Sequence, residues 1–430
     1  MTEINDALVE HLLCIADGSV DETAMRLHAI DADLAARTVL EEIVARAALF
    51  PGPSTPFVVQ FDLGVPGERL GYRVTVSPEG GDVLPGWEQD PPWLTVRQDL
   101  AELLRAVYGP PGRYDASREI IVRQAPTNDM DAAWQVNLHA ATLASYQLVK
   151  ACSPHHADLA MLAVRFGSDK WGSHWYTPHY EQHFAPLRHE RVRVLELGVG
   201  GYGSPEPWGG GSLQMWRHYF PRGLVFGLDI YDKSTLDRPR MRTVLGDQSD
   251  GEFLTSLAER IGPLDIVIDD ASHLSSDVIT SFVTLFPHVR PGGLYVIEDL
   301  QTSYWPGWNG NRASLDDPAT SVGMLKSLID GLHHQDIVRV EPHEPSLTER
   351  TVTGIHFYHN LVFVEKAVNY HQPGALWLPR HEHPYPTKPG GLHDRGQHAS
   401  LPRPAEEGPD QPDLRGSAAC VLNPVTWIGA

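Results

Sequence analysis

Apolar residues recur at helical spacing through the first fifty positions: Ile4, Leu8, Leu12 and Leu13, then Leu34, Val39, Leu40 and Ile43. Residues three and four apart share one face of a helix, so this pattern predicts amphipathic helices. Residues 57–63 and 70–76 read instead as strands, with Gly64, Pro66 and Gly67 between them where a turn is needed. Helical spacing returns over 93–108, until Gly109, Pro110 and Pro111 end it. Residues 1–125 are therefore expected to form a small α+β domain. It carries no chemical motif, which points to a packing or oligomerisation role.

From Ala132 the texture changes. Positions 136–166 predict a long helix, and short apolar runs follow at 192–197, 224–228, 243–245, 264–268 and 294–297. Helical patterns lie between the runs, such as Leu213, Trp216 and Phe220, or Phe282, Leu285 and Phe286. Strands alternating with helices imply right-handed βαβ units and a mainly parallel sheet. A last run, 355–364, is expected to add one antiparallel strand at the sheet edge. The expected catalytic unit is thus an α/β domain over 131–369. Residues 370–430 are rich in Pro, Gly and His with little periodicity, and such a segment buries too little apolar area to offset its ordering entropy. An irregular segment, disordered or strapped across the surface, is the expectation there, rather than metal capture by His371, His381, His383, His393 and His398.

Charge and composition narrow the partners. The 430 residues include 34 basic and 55 acidic side chains, a formal charge of -21. Phosphate backbones are bound by Lys and Arg releasing counterions, so a nucleic-acid binder is disfavoured. Cys14, Cys152 and Cys420 are odd in number and far apart, which indicates neither a disulfide framework nor a thiolate zinc site. The acidic start does not resemble a signal peptide, and no apolar run approaches the ~20 residues that span a bilayer. A cytoplasmic protein acting on a small molecule, with no membrane partner, is expected.

Residues 192–203 read VRVLELGVGGYG, an apolar strand with an acid at Glu196 and glycines at 198, 200, 201 and 203. Such glycines let the backbone pass close beneath a ligand, and ligands of open α/β sheets sit beyond the carboxyl ends of the strands. The residues satisfy GxGxxG, and Asp229 ends the next strand where a ribose-binding acid belongs. A dinucleotide dehydrogenase is therefore a competing reading. Three features favour S-adenosylmethionine instead. A pyrophosphate wants a helix N-terminus directly after the glycines, yet residues 204–211 intervene and Ser212 is the expected N-cap. Glu196 would face a phosphate badly but suits the ammonium of a methionine. Gly246, Asp247 and Gln248 end the third strand, where a methyltransferase reads adenine.

Two acidic clusters lie at the ends of consecutive runs: Asp269, Asp270 and His273 after 264–268, then Glu298 and Asp299 after 294–297. If those strands are neighbours, both clusters enter one crevice. Carboxylates packed together repel unless protonated or bridged by a cation. Oxygen ligands select hard ions, so Mg²⁺ comes first, with Mn²⁺ or Ca²⁺ behind it. His273 is placed to take a proton from a hydroxyl. Trp171, Tyr176, Tyr180, Tyr304 and Trp305 are candidates for stacking against a substrate face, or for core packing.

At these residues the chain resembles the metal-dependent sugar O-methyltransferases of macrolide biosynthesis, the mycinamicin and macrocin O-methyltransferase family. The likeness spans about 160–370 and rests on FGSDKWGSHWYTPHYEQHF, LELGVGGYGSP, GGGSLQMWRHYFP, IDDASH and IEDLQTSYW. It implies a class I methyltransferase fold, S-adenosylmethionine as methyl donor and Mg²⁺ on Asp270, Glu298 and Asp299, with His273 as base. The implied cofactor residues are Leu197, Gly198, Val199, Gly200, Gly201, Tyr202, Gly203, Ser212, Asp229, Asp247 and Gln248, beside Glu196 from the reading above. The N-terminal region resembles that family's auxiliary domain more loosely, which implies a homotetramer with a domain reaching a neighbour's site. The expected substrate is a deoxysugar hydroxyl, rhamnose-like, on a polyketide glycoside. Methylation of an aromatic diol, or a cofactor-binding protein without turnover, are the alternatives; the intact acids and His273 count against the latter.

Overall fold

The computed structural model describes residues 6–369 apart from 79, 124–130, 154–157, 202–208 and 340. The five tail histidines, Tyr202 and Gly203 lie outside the described residues.

The N-terminal region opens with α1 (Asp6–Ile15), α2 (Val20–Leu27) and α3 (Ala32–Ala47). Ser19 and Glu22 form a capping box on α2, and the Asp31 carboxylate accepts the Asp33 and Leu34 amides on α3. Both satisfy amides that a helix start leaves unpaired. Leu12, Leu27, Val39, Leu40 and Ile43 share one core with a sheet of β1 (Phe57–Val65), β2 (Glu68–Val76), β3 (Val83–Pro85), β4 (Leu94–Asp99) and β5 (Glu119–Val122). The strand order is β3-β2-β1-β4-β5. Residues 93–108 depart from expectation, dividing into β4 and α4 (Leu100–Tyr108). Leu94, Val96 and Gln98 are buried while Thr95 and Arg97 are half-buried, the two-residue alternation of a strand. β4 satisfies its backbone by lying parallel to β1.

The expected helix over 136–166 is two: α5 (Ala132–Ala151) and α6 (Leu159–Phe166). Each has its own cap, Asp131 and Asp158, and Gly167 ends α6 in the left-handed conformation. α7 (Thr177–Phe184) follows, then a doubly wound unit of β6 (Arg193–Leu197), α8 (Gly211–Tyr219), β7 (Leu224–Asp229), β8 (Met241–Leu245), α9 (Gly251–Ile261), β9 (Leu264–Asp269), α10 (Ser275–Leu285) and β10 (Val289–Ile297). α11 (Ser321–Leu332) and α12 (Leu347–Thr351) precede β11 (Val352–Tyr358) and β12 (Leu361–Lys366). The sheet order is β11-β12-β10-β9-β6-β7-β8; β6 to β10 run parallel, and β12 and β11 are antiparallel. The single edge strand expected at 355–364 is thus a hairpin, turning at Asn360 with a φ of 61°. Alternate strand residues feed two cores. Val194, Ile266 and Val296 meet Leu213 and Trp216 on one face, whereas Leu195, Val267 and Tyr295 meet Leu257, Phe282 and Leu325 on the other. Among the described residues no helix is long and apolar enough to cross a membrane.

One buried ionic network joins the N-terminal region to this unit. Glu42 on α3 meets Arg46 at 2.8 Å, Arg217 at 2.8 Å and Arg240 at 2.6 Å, and neither Glu42 nor Arg240 exposes any of its side chain. Burial alone would raise the Glu42 carboxyl, but Arg217, Arg240 and Arg46 hold it well below the usual carboxylate range.

Candidate active site

β9 lies between β10 and β6, in parallel register with both, and Asp269 pairs with Ile297 on one side and Leu197 on the other. The chain leaving each of these three strands therefore emerges at one edge. From β6 comes the glycine turn. Gly198, Gly200 and Gly201 all have positive φ, and Gly198 is packed so that a Cβ would overlap the Asp270 carbonyl oxygen. Glycine is required there twice over, for its dihedral and for the close approach. The Asp229 carboxylate accepts the Val199 amide at 3.0 Å and the Tyr231 amide at 2.9 Å, tying the end of β7 to the turn. α8 begins at Gly211 with Gly210 as N-cap, not Ser212. The Ser212 hydroxyl instead donates to Glu196 Oε2 at 2.8 Å.

From β9 and β10 come the acids. Asp270, His273 and Asp299 each place one ligand-type atom within 4.8 Å of the others, and His273 Nε2 is 3.5 Å from Asp299 Oδ2. Asp270, Asp299 and His273 keep 19%, 17% and 26% of their side chains exposed, so this group opens to solvent. His273 and Asp299 also hold left-handed backbone, with φ of 56° and 52°. Such conformations cost energy for residues with a Cβ, and they cluster where surrounding structure imposes a functional geometry.

Glu298 lies beneath, nearly fully buried. Its Oε1 receives the Tyr180 hydroxyl and stands 2.6 Å from Lys170 Nζ. The same ammonium reaches Asp270 Oδ2 at 2.7 Å and Glu196 Oε1 at 3.5 Å. Lys170 is fully buried, which works against its charge, but Asp270, Glu298 and Glu196 more than offset this and raise its pKa well above the usual lysine value. Burial and repulsion from Asp270 push the Glu298 carboxyl up, and Lys170 and Tyr180 act against that. Glu196 is pushed up to about 7 by burial, against Lys170. Glu196 is thus enclosed with Lys170 and Ser212.

Other expected residues divide. The Asp247 carboxylate is exposed and accepts from the Ser249 amide and hydroxyl. The Gln248 side chain is turned inward: its amide nitrogen donates to Asp269 and Ser281, and its oxygen accepts the Ser272 amide at 3.0 Å. It anchors the loop between Asp270 and His273 rather than lining the crevice. Tyr176 and Tyr180 are buried, not stacking surfaces; the Tyr176 hydroxyl donates to Asp299 Oδ1 at 2.8 Å. Tyr304 and Trp305 remain exposed, and Trp171 packs edge-on against Trp175. No sequence pattern assigned a role to Lys170 or to the two tyrosine hydroxyls. The available signal was the 166–184 motif itself, in which a lysine is followed by two tyrosines four apart, one capping α7 and one within it.

A family described as "MycE methyltransferase N-terminal" matches residues 9–118. The mycinamicin VI 2''-O-methyltransferase of Micromonospora griseorubida is 41% identical over 385 residues, 88% of this chain and 96% of the relative. The 8-demethyl-8-alpha-L-rhamnosyl tetracenomycin-C 2'-O-methyltransferase of Streptomyces olivaceus is 50% identical over 299 residues, 69% of this chain and 77% of that one. The solved structure of MycE methyltransferase in complex with Mg, SAH and mycinamycin VI superposes with a TM-score of 0.79 at 41% identity, covering 88% of this chain and 98% of that one. Identity of this order over most of the chain, on the same fold, settles the family: the chain belongs to the sugar O-methyltransferases of the mycinamicin and macrocin type.

Proposed function

We propose that the protein transfers a methyl group from S-adenosylmethionine to a hydroxyl of a rhamnose-like deoxysugar on a polyketide glycoside, with Mg²⁺ at the carboxylates. The observation that carries this reading is the convergence of Asp270, His273 and Asp299 beside the glycine turn. Glu196, Asp270 and Glu298 share one Lys170, and Asp299 adds a further carboxylate beside Asp270, so the cluster holds more acids than cations and suits a hard divalent cation. Asp270, Glu298 and Asp299 are the residues that would hold it. When bound, the ion polarises substrate oxygens and the sulfonium supplies an activated methyl group.

The chain's own residues do the rest. Asp229 and the Gly198–Gly201 backbone receive the ribose and methionine portions; Asp229 keeps a lone pair on each oxygen after its two amide bonds. Lys170 and Tyr180 fix Glu298, and Tyr176 fixes Asp299. His273, oriented by Asp299, takes the proton from the attacking hydroxyl. The relatives' named substrates, mycinamicin VI and a rhamnosyl tetracenomycin, support a glycoside acceptor. A homotetramer in which residues 1–125 make part of the contact and a cytoplasmic location complete the reading; light scattering that finds a monomer would remove the assembly.

The test is turnover of a demethylated rhamnosyl glycoside as Mg²⁺ is varied. Glu298→Ala should lose metal affinity and regain part of its activity in excess Mg²⁺. His273→Asn should lose roughly 10²–10⁴-fold in turnover, bind cofactor normally and gain nothing from added metal. Near-normal turnover in His273→Asn would overturn the assignment of the base.

A further inference from the structure

A second group of ligand-type side chains lies where α7 crosses the edge hairpin. In that hairpin Gly354 stands opposite Glu365 and His356 opposite Phe363. His356 and Glu365 are therefore diagonal neighbours on one face, with His356 Nε2 2.9 Å from Glu365 Oε1. His183, in the last turn of α7, comes down on the same face. Its ring stacks on Phe363 and is centred 4.7 Å from that of His356. One donor atom from each of His183, His356 and Glu365 lies within 4.8 Å of the other two.

The surroundings keep this group available. A Cβ on Gly354 would stand 2.6 Å from Glu365 Oε2 and 3.1 Å from His356 Nε2, so the missing side chain opens the space between them. The Tyr358 hydroxyl is 3.0 Å from His183 Nε2, and the Tyr358 ring stacks on His179. Outer contacts of this kind fix the orientation of a ligating imidazole.

We propose that His183, His356 and Glu365 bind a divalent transition ion, zinc foremost, which clamps α7 to the edge hairpin. Two imidazoles and one carboxylate form a donor set of zinc, with water in the fourth position. Mg²⁺ prefers oxygen ligands throughout, so the two sites select different ions. Partial exposure of His356 and Glu365 gives the ion a route from solvent. The clamp acts at the far end of the helix whose Tyr180 donates to Glu298, and so steadies the floor of the carboxylate site. The ion binds whether or not the methyl-transfer reading holds.

Full-length protein, stripped with a chelator and held in saturating Mg²⁺, is titrated with Co²⁺ and followed by visible absorption. The expected result is one Co²⁺ with the intense bands of a low-coordinate site, displaced by Zn²⁺, and a melting temperature that Zn²⁺ raises by about a few degrees. His183→Ala and His356→Ala should each abolish both effects. Should His183→Ala fail to fold, His356→Ala and Glu365→Gln carry the same test. Absence of the bands in the wild type, or their survival in the His356→Ala protein, overturns the proposal; survival would place the ion elsewhere, as on the histidines of the tail.

Discussion

Glu42→Gln should destabilise the whole body of the protein rather than the N-terminal region alone. The substitution keeps size and removes the charge that Arg46, Arg217 and Arg240 share at 2.6–2.8 Å. Each hydrogen bond to a charged partner is worth about 1.5–3 kcal/mol, but three bonds to one carboxylate are coupled and do not add. The guanidiniums also keep backbone partners: Arg46 on Pro221, Arg217 on Pro239, and Arg240 on Phe220 and Gly223. The fitting magnitude is that for removing one partner of a buried ion pair, about 3–5 kcal/mol. The compact body spans Met1–Gly374, so at ~2.1 cal/mol/K of unfolding entropy per residue melting should fall by roughly 4–6 °C. Calorimetry and urea unfolding followed by circular dichroism both read this. The pH dependence gives an independent check. Glu42 is held below its ordinary value of 4.5, so its contribution is complete above that pH, declines as the pH falls below it and is gone once the folded carboxyl protonates. The gap between wild type and variant should stay flat from neutral pH to about 4.5 and narrow below it. An unchanged melting temperature, or a gap that closes in mildly acidic buffer, would falsify this account of the network.

Lys170→Met leaves Asp270, Glu298 and Glu196 without their shared ammonium, so the metal-free protein should lose about 3–5 kcal/mol of stability, part of which added Mg²⁺ restores; melts with and without Mg²⁺ that match the wild type refute it. Gly198→Ala must push the turn off the Asp270 carbonyl, and a displacement near 1 Å typically costs ~10²-fold in rate; retained kcat/KM shows that the turn is not held there. Asp229→Ala should weaken S-adenosylmethionine by roughly 1.5–3 kcal/mol per lost bond, and calorimetric titration of the folded variant showing wild-type affinity removes Asp229 from the cofactor site.

Much of this protein was legible before any fold was known. The strand-helix alternation after Ala132, the glycines at 198–201 and the acids ending two successive apolar runs are local patterns, governed by period, turn chemistry and charge within a few residues. They determined a mainly parallel sheet and put Asp270, His273, Glu298 and Asp299 at strand ends. Where two elements abut closely the pattern blurred: β4 merged with α4, and the edge hairpin, whose tight turn carries only Asn360 as a signal, read as one strand, because short windows average over a boundary. Tertiary structure alone decided what the side chains face. Adjacency of β9 with β10 and β6 joined the two acidic clusters to the glycine turn. Closure of the 166–184 segment over the sheet set Lys170, about a hundred residues away in sequence, between Asp270 and Glu298 and against Glu196, while Asp269 and Ser281 drew Gln248 inward. A buried charge is stable only with a partner, and which partner depends on contacts between distant segments that no local pattern encodes.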